Sequence, residues 1–164
     1  MTTTATMRAL DEKRGAIRVE DVYDTDIDDL WTACTVPERL ARWIAEVSGD
    51  DLREGGTVQA AFTSTWAGPI RIETCERPHH LRVTLEPDSD DQTEVEAWLT
   101  AEGEGTRLVV EERGLPVDGL HFYGAGWHAH LEDLGRSLVG ESSTWKARWD
   151  ELTPVYETMP LTRG

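Results

Sequence analysis

Between Asp118 and Gly140 the chain carries Leu120, Tyr123, Trp127, Leu131, Leu134 and Leu138 at spacings of three and four residues. At about 100° per residue they fall on one stripe, roughly 80–120° wide, the mark of a long helix with a single apolar face. Asp118 is placed to cap its start, Pro116 blocks extension backwards, and Gly140 suits the left-handed residue after a helix end. Gly124 and Gly135 share one edge of the stripe. Each costs about 1 kcal/mol against alanine inside a helix, which makes sense where another element or a bound molecule comes close. Asp133, Arg136 and Ala129 lie opposite and are expected to meet water. A helix about 33 Å long with such a stripe needs a broad apolar partner.

The preceding chain supplies one. From Leu52 onward the period changes to two, in the runs TVQAAFT, PIRIETCER, HLRVTLEP, TEVEAWLTA and TRLVVEERG. Gly55-Gly56, Ala67-Gly68-Pro69, Pro78, Pro87-Asp88 and Gly103-Glu104-Gly105 stand between them as turns. Alternating runs with short joints predict an antiparallel meander, dry on one face and wet on the other. Upstream, AIRVEDVYD reads as a strand. DIDDLWTACT reads as a short helix capped by Asp26, and PERLARW as a second with Pro37 at its first position. The order predicts an α+β fold, a curved antiparallel sheet wrapped around the long C-terminal helix with two short helices after the first strand. Residues 1–14 are expected as a flexible tail, 15–140 as one domain, and 141–164 as an extension with a short Trp-rich helix.

A formal net charge of −16 argues against nucleic acid and anionic membranes, which demand a basic footprint. Arg39 and Arg42 among so many carboxylates make no DNA-recognition helix. No stretch approaches the roughly twenty apolar residues that cross a bilayer, and the N-terminus lacks the apolar run of a signal peptide. Cys34 and Cys75 have no CxxC spacing and form no disulfide framework, so a reduced, cytoplasmic compartment is expected. In the extension, Trp145, Trp149 and Leu152 recur at helical spacing, with Pro154 expected to end the run. That stripe either packs on the domain or offers a homodimer contact.

Chemistry-bearing motifs are sparse. His128 and His130 are two apart and diverge by about 160° on a helix, too far round to share a metal, and no HExxH occurs. Ser137 in GRSLVG is mid-helix, unlike the nucleophile of a GxSxG elbow. No phosphate or dinucleotide loop occurs, and neither a metal nor a cofactor is expected. Two residues break the apolar pattern. If Leu108 and Val110 point inward, so does Glu112, and a buried carboxylate needs a partner. Either the strand end frays or bulges and Glu112 meets water, or it is a polar anchor at the bottom or rim of a pocket. His130 flanks the helix stripe and offers it a polar edge.

The segments YDTDIDDLWTACTVPERLARW, REGG, GEGTRLVVEERGL and GAGWHAHLEDLGRSL resemble the START-like (SRPBCC) superfamily. Within it they look most like bacterial homologues of the heat-shock chaperone ATPase activator. The likeness spans Ala16 to Val139 and rests on the order of Trp31, Pro37, Trp43, Gly55-Gly56, Gly105-Thr106 and Gly126-Trp127. The resemblance implies a helix-grip fold with a deep cavity between sheet and helix. It also implies binding of hydrophobic small molecules such as lipids, sterols, polyketides or plant aromatics; a minority of such proteins are cyclases or dehydratases. Glu112 departs from it, since relatives often carry histidine there.

The expected role is therefore binding of a hydrophobic or aromatic small molecule, such as a lipid, polyketide or flavonoid. The ligand would lie between Tyr123, Trp127, His130 and Leu131 of the helix and Phe62, Ile72, Val83, Leu85, Ala97, Leu99 and Val110 of the sheet. Trp43 and Trp66 would close the mouth, and Glu112 would give a directional hydrogen bond. Two alternatives stand beside it. One is an aromatase or cyclase using Glu112 and His130 as base and acid; the other is a protein that docks on a chaperone ATPase.

Overall fold

Asp26 stops one strand and starts one helix. Its carboxylate accepts the backbone N–H of Asp29 at 2.8 Å, satisfying a helix-end donor that would otherwise be unpaired. In the computed structural model, which describes residues 2–49 and 52–163, strand β2 (Arg14–Tyr23) leads into α1 (Ile27–Thr35) and α2 (Pro37–Leu40). Met1 and Gly164, the outer ends of the expected tail and extension, lie outside the described residues, as do Asp50 and Asp51. The meander follows as β4 (Thr57–Phe62), β5 (Ala67–Glu76), β6 (His80–Leu85), β7 (Thr93–Glu102) and β8 (Gly105–Pro116). Then come the long α3 (Leu120–Leu138) and α4 (Trp145–Glu157).

Three further strands were not legible in the sequence: β1 (Thr4–Ala9), β3 (Ala45–Gly49) and β9 (Leu161–Arg163). The described strands form one curved, unclosed sheet in the order β3-β4-β5-β6-β7-β8-β2-β1-β9. All neighbours are antiparallel except β1 and β9. The expected loose tail is thus corrected over Thr4–Ala9, which pairs with β2 from Thr4↔Glu20 to Ala9↔Gly15. Its alternation rests on Met7 and Ala9, both buried, and alanine is too small to announce a strand.

On β8 the period of two holds. Leu108, Val110 and Glu112 face the core, while Glu111 meets Arg8 at 2.6 Å and Arg113 at 3.1 Å on the outer face. Burial works to raise the Glu111 carboxyl, but the hydrogen bonds from Arg8 and Arg113 outweigh it and hold it at about 2. Gly105 lets β8 start against β2, because a Cβ there would lie 2.5 Å from the Tyr23 carbonyl oxygen. Thr106 then donates to the Thr25 carbonyl at 2.8 Å.

The long helix differs from expectation at its start and on its back. Asp118 lies in a 3-10 turn over Val117–Gly119, and Gly119, without a side-chain bond, is the cap. At the far end Gly140 has φ +77°, and the Glu141 N–H reaches the Arg136 carbonyl at 2.9 Å, which is a Schellman closure. The face opposite the sheet does not meet water, because α4 covers it. Ala129 and Asp133 are both buried; the Asp133 carboxylate accepts from the Thr144 N–H at 2.9 Å and from the Ser143 hydroxyl, tying the start of α4 to α3.

Pro154 does not end α4, which continues to Glu157. The lost N–H is offset because one more turn buries Tyr156, whose hydroxyl pairs with His128 Nδ1 at 2.8 Å. The tryptophan stripe considered for a homodimer contact is therefore used within the chain: Trp145 and Leu152 are buried with Tyr156. Among the described residues no helix is long and apolar enough to cross a membrane.

The two glycines of the helix edge now separate. A Cβ on Gly124 would lie 2.7 Å from the Tyr156 ring, whereas one on Gly135 would meet Tyr23 at an ordinary 3.7 Å. Gly135→Ala should stabilise by up to about 1 kcal/mol through helix propensity. Gly124→Ala should destabilise by about 1–3 kcal/mol because the gain is lost to overpacking. Denaturant unfolding of the two variants checks this; equal shifts would show that Tyr156 does not need the gap.

Candidate functional site

Among the described residues, two of the hollows against α3 are divided by Phe62, Leu85 and Trp127, which line both; a more polar one lies between the end of β2 and the second half of α3. The inner one, about 100 Å³, is almost wholly apolar and adds Ile72, Val83, Ala97 and Val110 of the sheet to Trp43 and its α1 and α2 neighbours. The outer one, about 490 Å³, falls within the range of small-molecule sites. It opens between the β4–β5 turn, the end of β8 and the first half of α3, and Trp145 and Trp149 of α4 form one wall.

Local sequence explains the walls. Phe62 and Trp66 bracket a three-residue hairpin loop, closed by the Phe62 N–H on the Trp66 carbonyl at 2.8 Å. Their rings meet edge to face with centroids 5.2 Å apart. Thr65 takes φ +79° in that loop, a left-handed position that glycine would adopt without strain. On the other wall, the indole N–H groups of Trp145 and Trp149 donate to the carbonyls of Gly126 and Phe122, each at 3.0 Å. A spacing of four on α4 thus meets a spacing of four on α3, and the two rings stack at 5.7 Å. Phe62, His130, Trp145, Trp149 and Phe122 form a continuous run of ring contacts.

Two polar side chains stand at the bottom. Glu112 lies on β8 between Ile17 of β2 and Val95 of β7. Of the two readings its register left open, the structure has the buried one: Glu112 accepts from Trp127 Nε1 at 2.8 Å and Thr93 Oγ1 at 2.7 Å. Burial raises its pKa; the two hydrogen bonds only moderate the effect. His130, 3% exposed, packs edge to face on Trp127 at 5.6 Å. Burial pushes it down to about 3, against a backbone hydrogen bond with Trp43 that favours its charged form. Its Nδ1 is buried and has no hydrogen-bond partner among the described residues. His128 points away, to Tyr156 and Glu132.

Of the residues expected to bind ligand, Phe62, Trp66, Leu85, Glu112, Tyr123, Trp127 and His130 line the outer cavity. Trp43, Ile72, Val83, Ala97 and Val110 line the inner one instead. Trp43 does not close a mouth: it is 4% exposed, and its indole N–H donates to the Ala33 carbonyl at 2.9 Å in α1. Tyr123, placed on the buried stripe by its spacing, is 42% exposed, because the sheet has fallen away from the helix where the cavity opens. Leu99 and Leu131 are fully packed and line neither the inner nor the outer hollow. Sequence reasoning missed Trp145, Trp149, Phe122 and Arg14 on the outer cavity. The tryptophan stripe was visible, but nothing local tied it to the cavity.

A neutral buried histidine makes stability depend on pH. Below its unfolded value of 6.5 the unfolded chain takes up a proton that folded His130 refuses until about 3, so its contribution is complete above that value and lost on acidification. Between about pH 7 and about pH 4.5, wild type should lose roughly 2–3 kcal/mol relative to His130→Leu. Urea unfolding of both proteins at the two pH values measures it; a constant difference would mean that His130 is not held neutral.

Comparison with known proteins agrees with this architecture. CalU16 from Micromonospora echinospora has a crystal structure similar at TM-score 0.77 and 28% identity, over 97% of this chain and 98% of that one. A protein from Bordetella parapertussis, BPP1335, matches at TM-score 0.72 and 23% identity, over 89% of this chain and 86% of that one. DynU16, described as a putative protein in the dynemicin biosynthetic locus, matches at TM-score 0.69 and 23% identity, over 77% of this chain and 48% of that one. At that identity these last two bear on the fold alone. No curated protein matches the chain. The model of one family matches residues 24–138, which span α1, the whole meander and α3 but not the α4 wall of the outer cavity: the chain belongs to the family of activator of Hsp90 ATPase homolog 1-like proteins, of START/SRPBCC type.

Proposed function

We propose that this protein binds a hydrophobic or aromatic small molecule of polyketide, flavonoid or lipid type in the outer cavity. The observation that carries this reading is the 490 Å³ hollow walled by aromatic rings, with Glu112 and His130 as buried polar groups beneath. Mostly apolar walls with a few oriented polar atoms are the usual make-up of such sites. Phe62, Trp66, Trp127, Trp145 and Trp149 supply flat faces for a ring system. The inner hollow beyond Trp127 gives room for a short alkyl branch.

The binding role is favoured over the cyclase alternative by protonation. The acid of that reading would be an imidazolium, a form that burial disfavours at His130, and the proton of the neutral ring is engaged in the backbone hydrogen bond with Trp43. Docking on a chaperone ATPase makes no use of the cavity, so the hollow favours the ligand over that reading.

The test uses freshly purified protein and a neutral aromatic probe, 2-naphthalenemethanol. Native mass spectrometry should show a retained small molecule or, in stripped protein, one saturable site for the probe by calorimetry. Trp66→Ala should weaken that site about five- to tenfold, as loss of a large aromatic contact does, with unfolding free energy changed by less than about 1 kcal/mol. No retained mass and no saturable binding would overturn the proposal.

A further inference from the structure

The floor of the outer cavity is chemically one-sided. Glu112 takes its two hydrogen bonds from uncharged donors, the Trp127 indole and the Thr93 hydroxyl, and among the described residues no lysine or arginine pairs with it. A carboxylate buried in a central strand without a cation is costly. The nearby His130 ring shares a backbone hydrogen bond with Trp43, and Nδ1 is the ring atom without a partner. With the proton on Nε2, Nδ1 keeps a lone pair, so it also accepts. At the rim, Glu86 and Asp91 face the opening. Arg14, the cation there, spends its guanidinium on the carbonyls of Gly114 and Asp90 at 3.3 and 3.1 Å.

The rings of Phe62, Trp127 and Trp145 pack around His130, the first two edge to face and the third tilted, and Trp127 turns the N–H edge of its indole to Glu112. The attraction for an organic cation at the floor therefore comes from the Glu112 charge. A hydroxyl would satisfy one lone pair of Glu112 and leave its charge in place, whereas an ammonium removes the imbalance.

Building on the binding role proposed above, we infer that the cavity is made for an aromatic molecule carrying a protonated amino group, whose ammonium pairs with Glu112.

Two probes of one shape test it: 2-naphthylmethylamine and 2-naphthalenemethanol, titrated calorimetrically into the full chain at neutral pH. The amine should bind at least about tenfold more tightly to wild type. Glu112→Gln, which keeps the shape of the side chain, should bring the two probes within about twofold of each other. A Glu86→Gln, Asp91→Asn variant leaves the floor intact and should keep the preference, so the inference stays testable even if Glu112→Gln does not fold. Equal binding of both probes to wild type, or a preference lost with the rim carboxylates, would overturn the ammonium inference and leave the aromatic site standing. Binding of neither probe would overturn the site itself.

Discussion

The hydrogen bond from the Trp127 indole to Glu112, 2.8 Å long, is the contact on which the rest of the interior depends. It crosses from the middle of α3 to the middle of β8 at the point where sheet and helix stop touching. A bond to a charged acceptor is worth about 1.5–3 kcal/mol, and a stranded buried carboxylate costs at least as much. The bond therefore holds the Trp127 ring as a fixed partition between the two hollows. Without it, the largest side chain on that wall would be free to fall into the space that makes the site.

A cavity of this size has to be held open by something other than the groups beside it, because packed interiors close over voids where they can. Here the support comes from outside the sheet. The second helix α4 lies along the back of α3, where two indole N–H groups meet two helix carbonyls four residues apart. Asp133 caps its start, and Arg148 binds Glu132 at 2.6 Å beneath it. Burial works to raise Glu132, but the hydrogen bonds from His128 and Arg148 prevail and hold it at about 2. With its back fixed in this way, α3 can leave the sheet around Tyr123 without sagging. The same helix that stiffens α3 also lends the cavity a wall, so the extension is part of the site rather than an appendage.

Much of this was legible in the chain. The meander, the two short helices, the Asp26 cap and the far end of α3 at Gly140 followed from periodicity and end signals, because each depends on neighbours within a few residues. Glu112 and His130 were also found that way: one broke a strand's apolar face, the other stood on the border of a helix stripe. Edge strands were not found. In β1 alanine and threonine alternate with too little contrast, and in β3 only Ala45 and Val47 reach the core from a run of small and polar residues. Trp43 and Tyr123 were assigned to the wrong depths, since periodicity gives the face a residue is on but not how far away the opposite wall lies.

The sequence by itself determined that the meander, the two short helices and the long helix form and where the main apolar stripe of each lies, since those are set by steric propensities and spacing along one backbone. Only the tertiary structure decided that α4 folds back to bury Asp133 and Ala129, that Gly124 yields its space to Tyr156 while Gly135 yields none, and that the apolar layer parts to leave a hollow. These outcomes depend on the distance between surfaces far apart in the chain, and no local pattern encodes a distance.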